Sequence, residues 1–140
     1  MKIYISHPSS NTIKLNDEQP VVIEGISQIP DASCVKIQLG NVLDYISEKE
    51  RDRILLTAIS KLRIEGELHL NGVDFFAVGT FISSGLITID EVNKVVLNGR
   101  MSMDCIRLLQ EKLSRSGLEI VKANMDGFSY SIIIKRNPNE

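Results

Sequence analysis

The residues best placed to do chemistry lie in the segment GNVLDY, residues 40–45, directly after the apolar run CVKIQL of residues 34–39. That run is typical of a buried strand, and ligands in open α/β sheets bind at the carboxyl ends of the strands. Gly40 permits close approach of a ligand to the backbone, and Asn41 offers an amide. Both residues also suit a turn that is chosen only for its backbone geometry.

Three further side chains in and after this segment carry polar groups. Asp44 is either a carboxylate that lines a cleft or an acidic residue stabilised near a helix N-terminus by a few tenths to about 1 kcal/mol. Tyr45 suits a partly buried aromatic residue with a satisfied hydroxyl. Asp74 falls at the same predicted sheet edge, where we expect a loop carboxylate with no further role.

Several other kinds of site are not supported by the sequence. His7 and His69, the only histidines, lie in different elements without a third ligand at matching spacing, so no metal site is predicted. Cys34 and Cys105 stand far apart in apolar contexts, which indicates two buried, reduced thiols. Neither a catalytic triad pattern nor a phosphate-binding loop occurs, which leaves hydrolase and nucleotide-dependent functions without support.

Composition and charge narrow the class of protein. A chain of 140 residues with 43% hydrophobic residues is expected to form one domain, residues 1–140. Sixteen basic and eighteen acidic residues give a net charge of −2 without a basic cluster, so nucleic acid is not an expected partner. No stretch is apolar enough to span a membrane, and the first ten residues lack the apolar core of a signal peptide, so we expect a cytoplasmic protein.

Periodicity and capping patterns predict the elements that position these residues. Strands are predicted over residues 2–6, 12–15, 21–26 and 34–39. Ser47 followed by Glu50 predicts a helix start, and a helix with an apolar stripe should end near Gly66, before a strand at residues 68–70. This βαβ unit predicts two parallel strands.

The last third of the chain is predicted to contain two helices and a hairpin. Thr88 with Glu91 predicts a short helix that ends before Asn98, and Ser102 is predicted to cap another that ends at Gly117. Strands at residues 118–123 and 128–135 are then joined through an Asp-Gly turn.

The order of several short motifs resembles the C-terminal half of a class I S-adenosylmethionine-dependent methyltransferase, over residues 24–136. Residues 29–33 (IPDAS) are similar to the family's LPFPDNSF, and residues 41–46 (NVLDYI) are similar to its HVLEHI. Residues 61–68 take the place of its R-x-LKPGG-x-L, and residues 109–120 resemble its LLEEAGFEI. The closing antiparallel hairpin is the family's topological hallmark.

This resemblance implies an α/β, Rossmann-like methyltransferase fold and S-adenosylmethionine as cofactor. Glu24 falls roughly where the family has an acidic residue near the adenine ring, so Glu24, Gly40, Asn41 and Asp44 are the predicted cofactor-binding residues. The family's glycine-rich turn after the first strand is missing, because no glycine precedes Gly25. We therefore expect a fold that is shortened in its N-terminal half.

Two hypotheses for function follow. The first is a small methyltransferase-like protein that still binds S-adenosylmethionine. The second is a non-catalytic module that keeps the fold to bind a small molecule or to assemble, for instance as a homo-oligomer through an exposed sheet edge.

Overall fold

The computed structural model describes residues 1–8 and 18–138, which contain six strands. The strands are β1 Lys2–Ser6, β2 Gln19–Val22, β3 Cys34–Gly40, β4 Leu62–Val73, β5 Glu119–Asp126 and β6 Ser129–Lys135. They form one sheet in the order β2-β1-β3-β4-β6-β5. The first four strands are parallel, and β6 is antiparallel to both β4 and β5. The predicted mixed α/β sheet with a C-terminal antiparallel hairpin is confirmed.

Helical segments connect the strands. They are α1 Glu48–Lys61, α2 Phe75–Ser83, α3 Ile89–Glu91 with its π-helical continuation Val92–Leu97, α4 Ile106–Arg115, and two 3₁₀ segments, Ile23–Gln28 and Val42–Tyr45. The Ser47 hydroxyl accepts a hydrogen bond from the Glu50 amide at 3.4 Å, as its sequence pattern predicts. The capping box of Thr88 and Glu91 is also present. No helix in residues 1–8 and 18–138 has the length and apolar character needed to cross a membrane.

The sheet has one buried face and one polar face. Alternate strand residues such as Ile3, Ile37 and Leu68 are fully buried in the main core, to which α1 and α4 contribute their apolar residues. The residues between them point to the other side and are half-buried or exposed. We call this second side the open face, and it carries Tyr4, Lys36, Gln38, Glu67, His69, Asn71, Ser131 and Ile133.

A second, smaller apolar cluster lies at the carboxyl end of β4. Val73 packs there with Val78 of α2, Ile87 and Val96. The sequence analysis predicts no helix over residues 75–83, although Asp74 followed by an apolar run is a typical helix start.

Two predicted boundaries in the first half of the chain are wrong. Residues 21–26 were expected to be a strand, but the chain leaves β2 at Val22 and forms a 3₁₀ segment instead. Ile23 and Ile26 lie on the same side of that segment because a 3₁₀ turn has three residues, and both are buried. The strand predicted at residues 12–15 lies outside the described residues.

The helix was predicted to end near Gly66, but α1 ends at Lys61 and β4 begins at Leu62. Gly66 is instead needed for close packing inside β4. A Cβ atom at this position would lie 2.7 Å from the carbonyl oxygen of Cys34 and 2.8 Å from that of Arg63.

Gly72 allows the ring of Tyr130 to lie directly on β4, which suggests a test of the packing. A Cβ atom at Gly72 would lie 2.5 Å from the Tyr130 hydroxyl oxygen, so we expect Gly72→Ala to destabilise the fold by about 1–3 kcal/mol. Urea denaturation measures the change. The matched control is Gly79→Ala in α2, where nothing lies within 4 Å and alanine favours the helix. A Gly72→Ala protein as stable as Gly79→Ala would contradict this packing.

Candidate functional site

Asp44 is fully buried and forms the centre of an ion-pair cluster at the junction between β3 and α1. Its Oδ2 atom accepts hydrogen bonds from Arg100 Nε at 2.9 Å and from the Val73 amide at 3.1 Å. Its Oδ1 atom lies 3.3 Å from Arg51 Nη1. The carboxylate therefore joins β4, α1 and the segment before α4, and it is turned away from solvent.

Arg51 completes the cluster on the side of α1. Its Nη1 atom donates to the Leu43 carbonyl at 2.9 Å, and its Nη2 atom lies 3.4 Å from Asp104 Oδ2. Burial lowers the pKa of Arg51, but acidic neighbours, among them Asp44 and Asp104, outweigh it, so the pKa lies above its ordinary value and the guanidinium stays charged. Two arginines thus balance two aspartates.

Tyr130 lies against this cluster and is 2% exposed. Within the described residues, its hydroxyl has no hydrogen-bond partner. Burial, followed by the charge of Asp44, raises the pKa of Tyr130 well above its ordinary value. The phenol is therefore neutral at physiological pH and is not suited to act as a base.

Asp74 holds two helices, which corrects the expectation of a loop carboxylate without a role. Its Oδ1 atom accepts the Ala77 amide of α2 at 2.8 Å, and its Oδ2 atom accepts the Ile106 amide of α4 at 2.8 Å. It is buried. An acidic group is favoured at a helix N-terminus by the unpaired amides and the helix dipole.

Ser102 does not cap α4, contrary to prediction, since that helix begins at Ile106 and receives its cap from Asp74. The Ser102 hydroxyl lies 2.8 Å from the carbonyl oxygen of Ile46 and accepts from Arg51 at 3.0 Å. It therefore belongs to the buried cluster.

Tyr45 bridges the carboxyl ends of β1 and β3. Its ring stacks on His7, which follows β1, with 6.3 Å between centroids and 24° between planes. Arg100 Cζ lies 5.3 Å from the same ring. In the strand order, β2 lies next to β1 on one side and β4 lies next to β3 on the other, which makes the gap between β1 and β3 the switch point where α/β sheets bind ligands.

Glu24 lines a cavity of about 180 Å³ beside this point, together with His7, Ile23, Ile46, Glu50, Arg53 and Ile54. Of the four predicted cofactor-binding residues, only Glu24 lines it. Asp44 is fully buried, and Asn41 lines a different, larger cavity.

Gly40 ends β3 with a φ of +57°, a conformation that glycine adopts without strain. It directs Asn41 toward the open face, where Asn41 and Asn71 line a groove of about 310 Å³. The structure therefore does not bring Glu24, Gly40, Asn41 and Asp44 into one site, and cofactor binding by them stays a prediction.

The histidine of β4 and the two cysteines, which the sequence analysis also considered, lie outside both cavities. His69 is half-buried on the open face, 3.2 Å from Glu67. Cys34 and Cys105 are buried free thiols, as predicted. In the described part of the chain, no group of three or more His, Cys, Asp or Glu is placed to hold a metal ion.

Comparison with known proteins identifies the fold. No family model and no curated protein matches the sequence. An O-methyltransferase family protein from Burkholderia thailandensis matches 86% of this chain and 37% of its own, at 13% identity and a TM-score of 0.62. An S-adenosylmethionine-dependent methyltransferase from Archaeoglobus fulgidus matches at 11% identity and a TM-score of 0.57, over 86% of this chain and 68% of its own.

The magnesium protoporphyrin IX methyltransferase of Synechocystis PCC 6803, solved with bound S-adenosylhomocysteine, matches at 13% identity and a TM-score of 0.56, over 87% of this chain and 53% of its own. The chain has a class I methyltransferase-like fold. It spans only 37% and 53% of the lengths of the Burkholderia and Synechocystis proteins.

The buried cluster predicts that Asp44 determines stability. Asp44→Asn removes the charge partner of Arg100 and leaves Arg51 only its ion pair with Asp104, so we expect a loss of about 3–5 kcal/mol in the free energy of unfolding. Urea denaturation at neutral pH measures it. The matched control is Asp90→Asn, which removes an exposed ion pair to Lys94 and should change stability by less than about 1 kcal/mol. Equal effects of the two substitutions would contradict a structural role for Asp44.

Proposed function

We propose that this chain is a non-catalytic binding module that keeps the methyltransferase-like fold. The observation that carries the proposal is the contact of the Tyr45 ring with both His7 and Arg100 at the switch point. A ligand that entered between β1 and β3 would have to displace this aromatic ring. Arg100 is itself fixed by the buried carboxylate of Asp44, so the stack is anchored in the core.

The size of the neighbouring cavity also supports the proposal. Pockets that enclose small-molecule ligands have volumes of about 300–1,000 Å³. The cavity beside Glu24 measures about 180 Å³, which suits a fragment of S-adenosylmethionine better than the whole molecule. The described residues around the switch point therefore do not fit the complete cofactor, and no step of methyl transfer is derived for them.

The contacts of Asp44, the acidic residue at the junction of β3 and α1, also support the proposal. Asp44 holds Arg51, Arg100 and the Val73 amide, so both of its oxygens are used within the fold. A carboxylate engaged in this way is not available to orient a cofactor or a substrate.

A second function, binding of S-adenosylmethionine, is favoured by one observation. Glu24 and His7 line a cavity at the switch point, where α/β sheets bind ligands. Similar folds include a methyltransferase solved with bound S-adenosylhomocysteine. In this alternative, the Glu24 carboxylate accepts hydrogen bonds from the ligand.

Assembly through a sheet edge is the less favoured form of a module. The edge strand β2 carries Pro20, and the edge strand β5 carries an irregularity between Ile120 and Lys122. Proline, bulges and lysine on edge strands all oppose pairing with another copy.

Isothermal titration calorimetry with S-adenosylmethionine and S-adenosylhomocysteine tests the proposal. We expect no saturable heat from the full chain with either compound. Saturable heat would contradict the proposal. If saturable heat is observed, its disappearance in the Glu24→Gln variant would establish the second function instead. The control Glu111→Gln, on the exposed side of α4, should then keep the heat of binding.

A further inference from the structure

A polar groove of about 310 Å³ lies on the open face at the carboxyl end of the sheet. We call it the amide groove, and its polar lining consists of Asn41, Asn71, Asn124, Asp126, Ser129 and Ser131. None of these residues lines the cavity beside Glu24. The groove is therefore separate from the switch point.

Strand register places the amides in one row. Asn71 of β4 faces Ser131 of β6, and Ser131 faces Asn124 of β5. Asn41 follows Gly40, which pairs with Leu70, the residue before Asn71. Three neighbouring strands, and the residue that follows β3, thus contribute polar side chains to the same level of the sheet.

Two of these asparagines, Asn71 and Asn124, lie inside strands and are not explained by the fold. Asparagine is depleted in strands, where β-branched and aromatic residues are preferred. Within the described residues, the side chains of Asn41, Asn71 and Asn124 form no hydrogen bond. Their donors and acceptors are therefore open to a ligand that enters the groove.

The chemistry of the lining selects a class of ligand. Each amide offers two donors and an acceptor, and each serine hydroxyl offers a donor and an acceptor. The lining residues include one carboxylate, Asp126, and no lysine, arginine or histidine. Such a surface lacks a positive charge to attract an anion, and it matches a molecule whose surface alternates hydroxyl donors and acceptors.

We propose that the amide groove binds a neutral, polyhydroxylated ligand of about disaccharide size. Its volume lies at the lower end of the range of about 300–1,000 Å³ for small-molecule sites. This proposal is independent of whether the chain binds S-adenosylmethionine, because the amide groove and the cavity beside Glu24 share no residue. Either can fail in experiment without the other.

Nuclear magnetic resonance titration of the full chain tests the proposal. The probes are maltose and N,N′-diacetylchitobiose, with glucuronate as an anion of related chemistry. We expect at least one neutral disaccharide to shift the side-chain amide signals of Asn41, Asn71 and Asn124 saturably, and glucuronate to shift them less. Absence of a saturable shift with both disaccharides, or an equal response to glucuronate, would overturn the proposal.

Variants separate binding from folding. Asn124 lies on the exposed edge strand β5. Its replacement by alanine, Asn124→Ala, should weaken binding of the disaccharide at least tenfold while the chain remains folded. The control Gln38→Ala removes an amide from the same face outside the groove and should bind as the wild type does. Asn71→Val should abolish binding and raise Tm, because valine is preferred in strands. Unchanged binding in both asparagine variants would refute the assignment.

Discussion

The buried carboxylate of Asp44 is the constraint on which the arrangement of the helices depends. A charge that is removed from water must be paired and hydrogen-bonded, and Arg51, Arg100 and the Val73 amide supply these partners. The backbone carbonyl of Asp44 also accepts the amides of Met101 and Ser102. The same residue therefore fixes the end of β3, the start of α1 and the segment that leads into α4.

The open face distinguishes this sheet from most parallel sheets. Parallel strands are usually covered on both faces and have continuous apolar sequences. In β3, however, Lys36 and Gln38 alternate with the buried residues Ile37 and Leu39. This alternation gives the sheet one apolar face, on which residues of α1 and α4 pack, and one polar face. The polar face carries the asparagines of the amide groove.

Local patterns were sufficient to predict the framework. The Ser47 and Thr88 caps, the alternating strands and the order of the motifs around residues 29–68 led to the parallel βαβ unit, the closing hairpin and a methyltransferase-like fold. These features depend on residues close in sequence. Leu62 pairs with Cys34 of β3, and Gly66 packs closely against the carbonyl oxygen of the same residue. Sequence periodicity does not reveal these contacts between strands.

The surroundings of the candidate residues were harder to predict for the same reason. Asp44 is paired with Arg100, 56 residues away, and Asp74 caps a helix that begins 32 residues later. Neither spacing has a sequence signature. From the sequence, Asp44 was therefore predicted as a possible cleft residue. In the structure, it links β4, α1 and the segment before α4 through hydrogen bonds.

A double-mutant cycle of Asp44→Asn and Arg100→Gln tests the central claim most directly. The free energies of unfolding of the wild type, both single variants and the double variant would be measured in urea. If Asp44 acts as a buried link, the two substitutions should be coupled by about 1–3 kcal/mol. Additive effects, within about 0.5 kcal/mol, would show that the carboxylate does not hold the junction together.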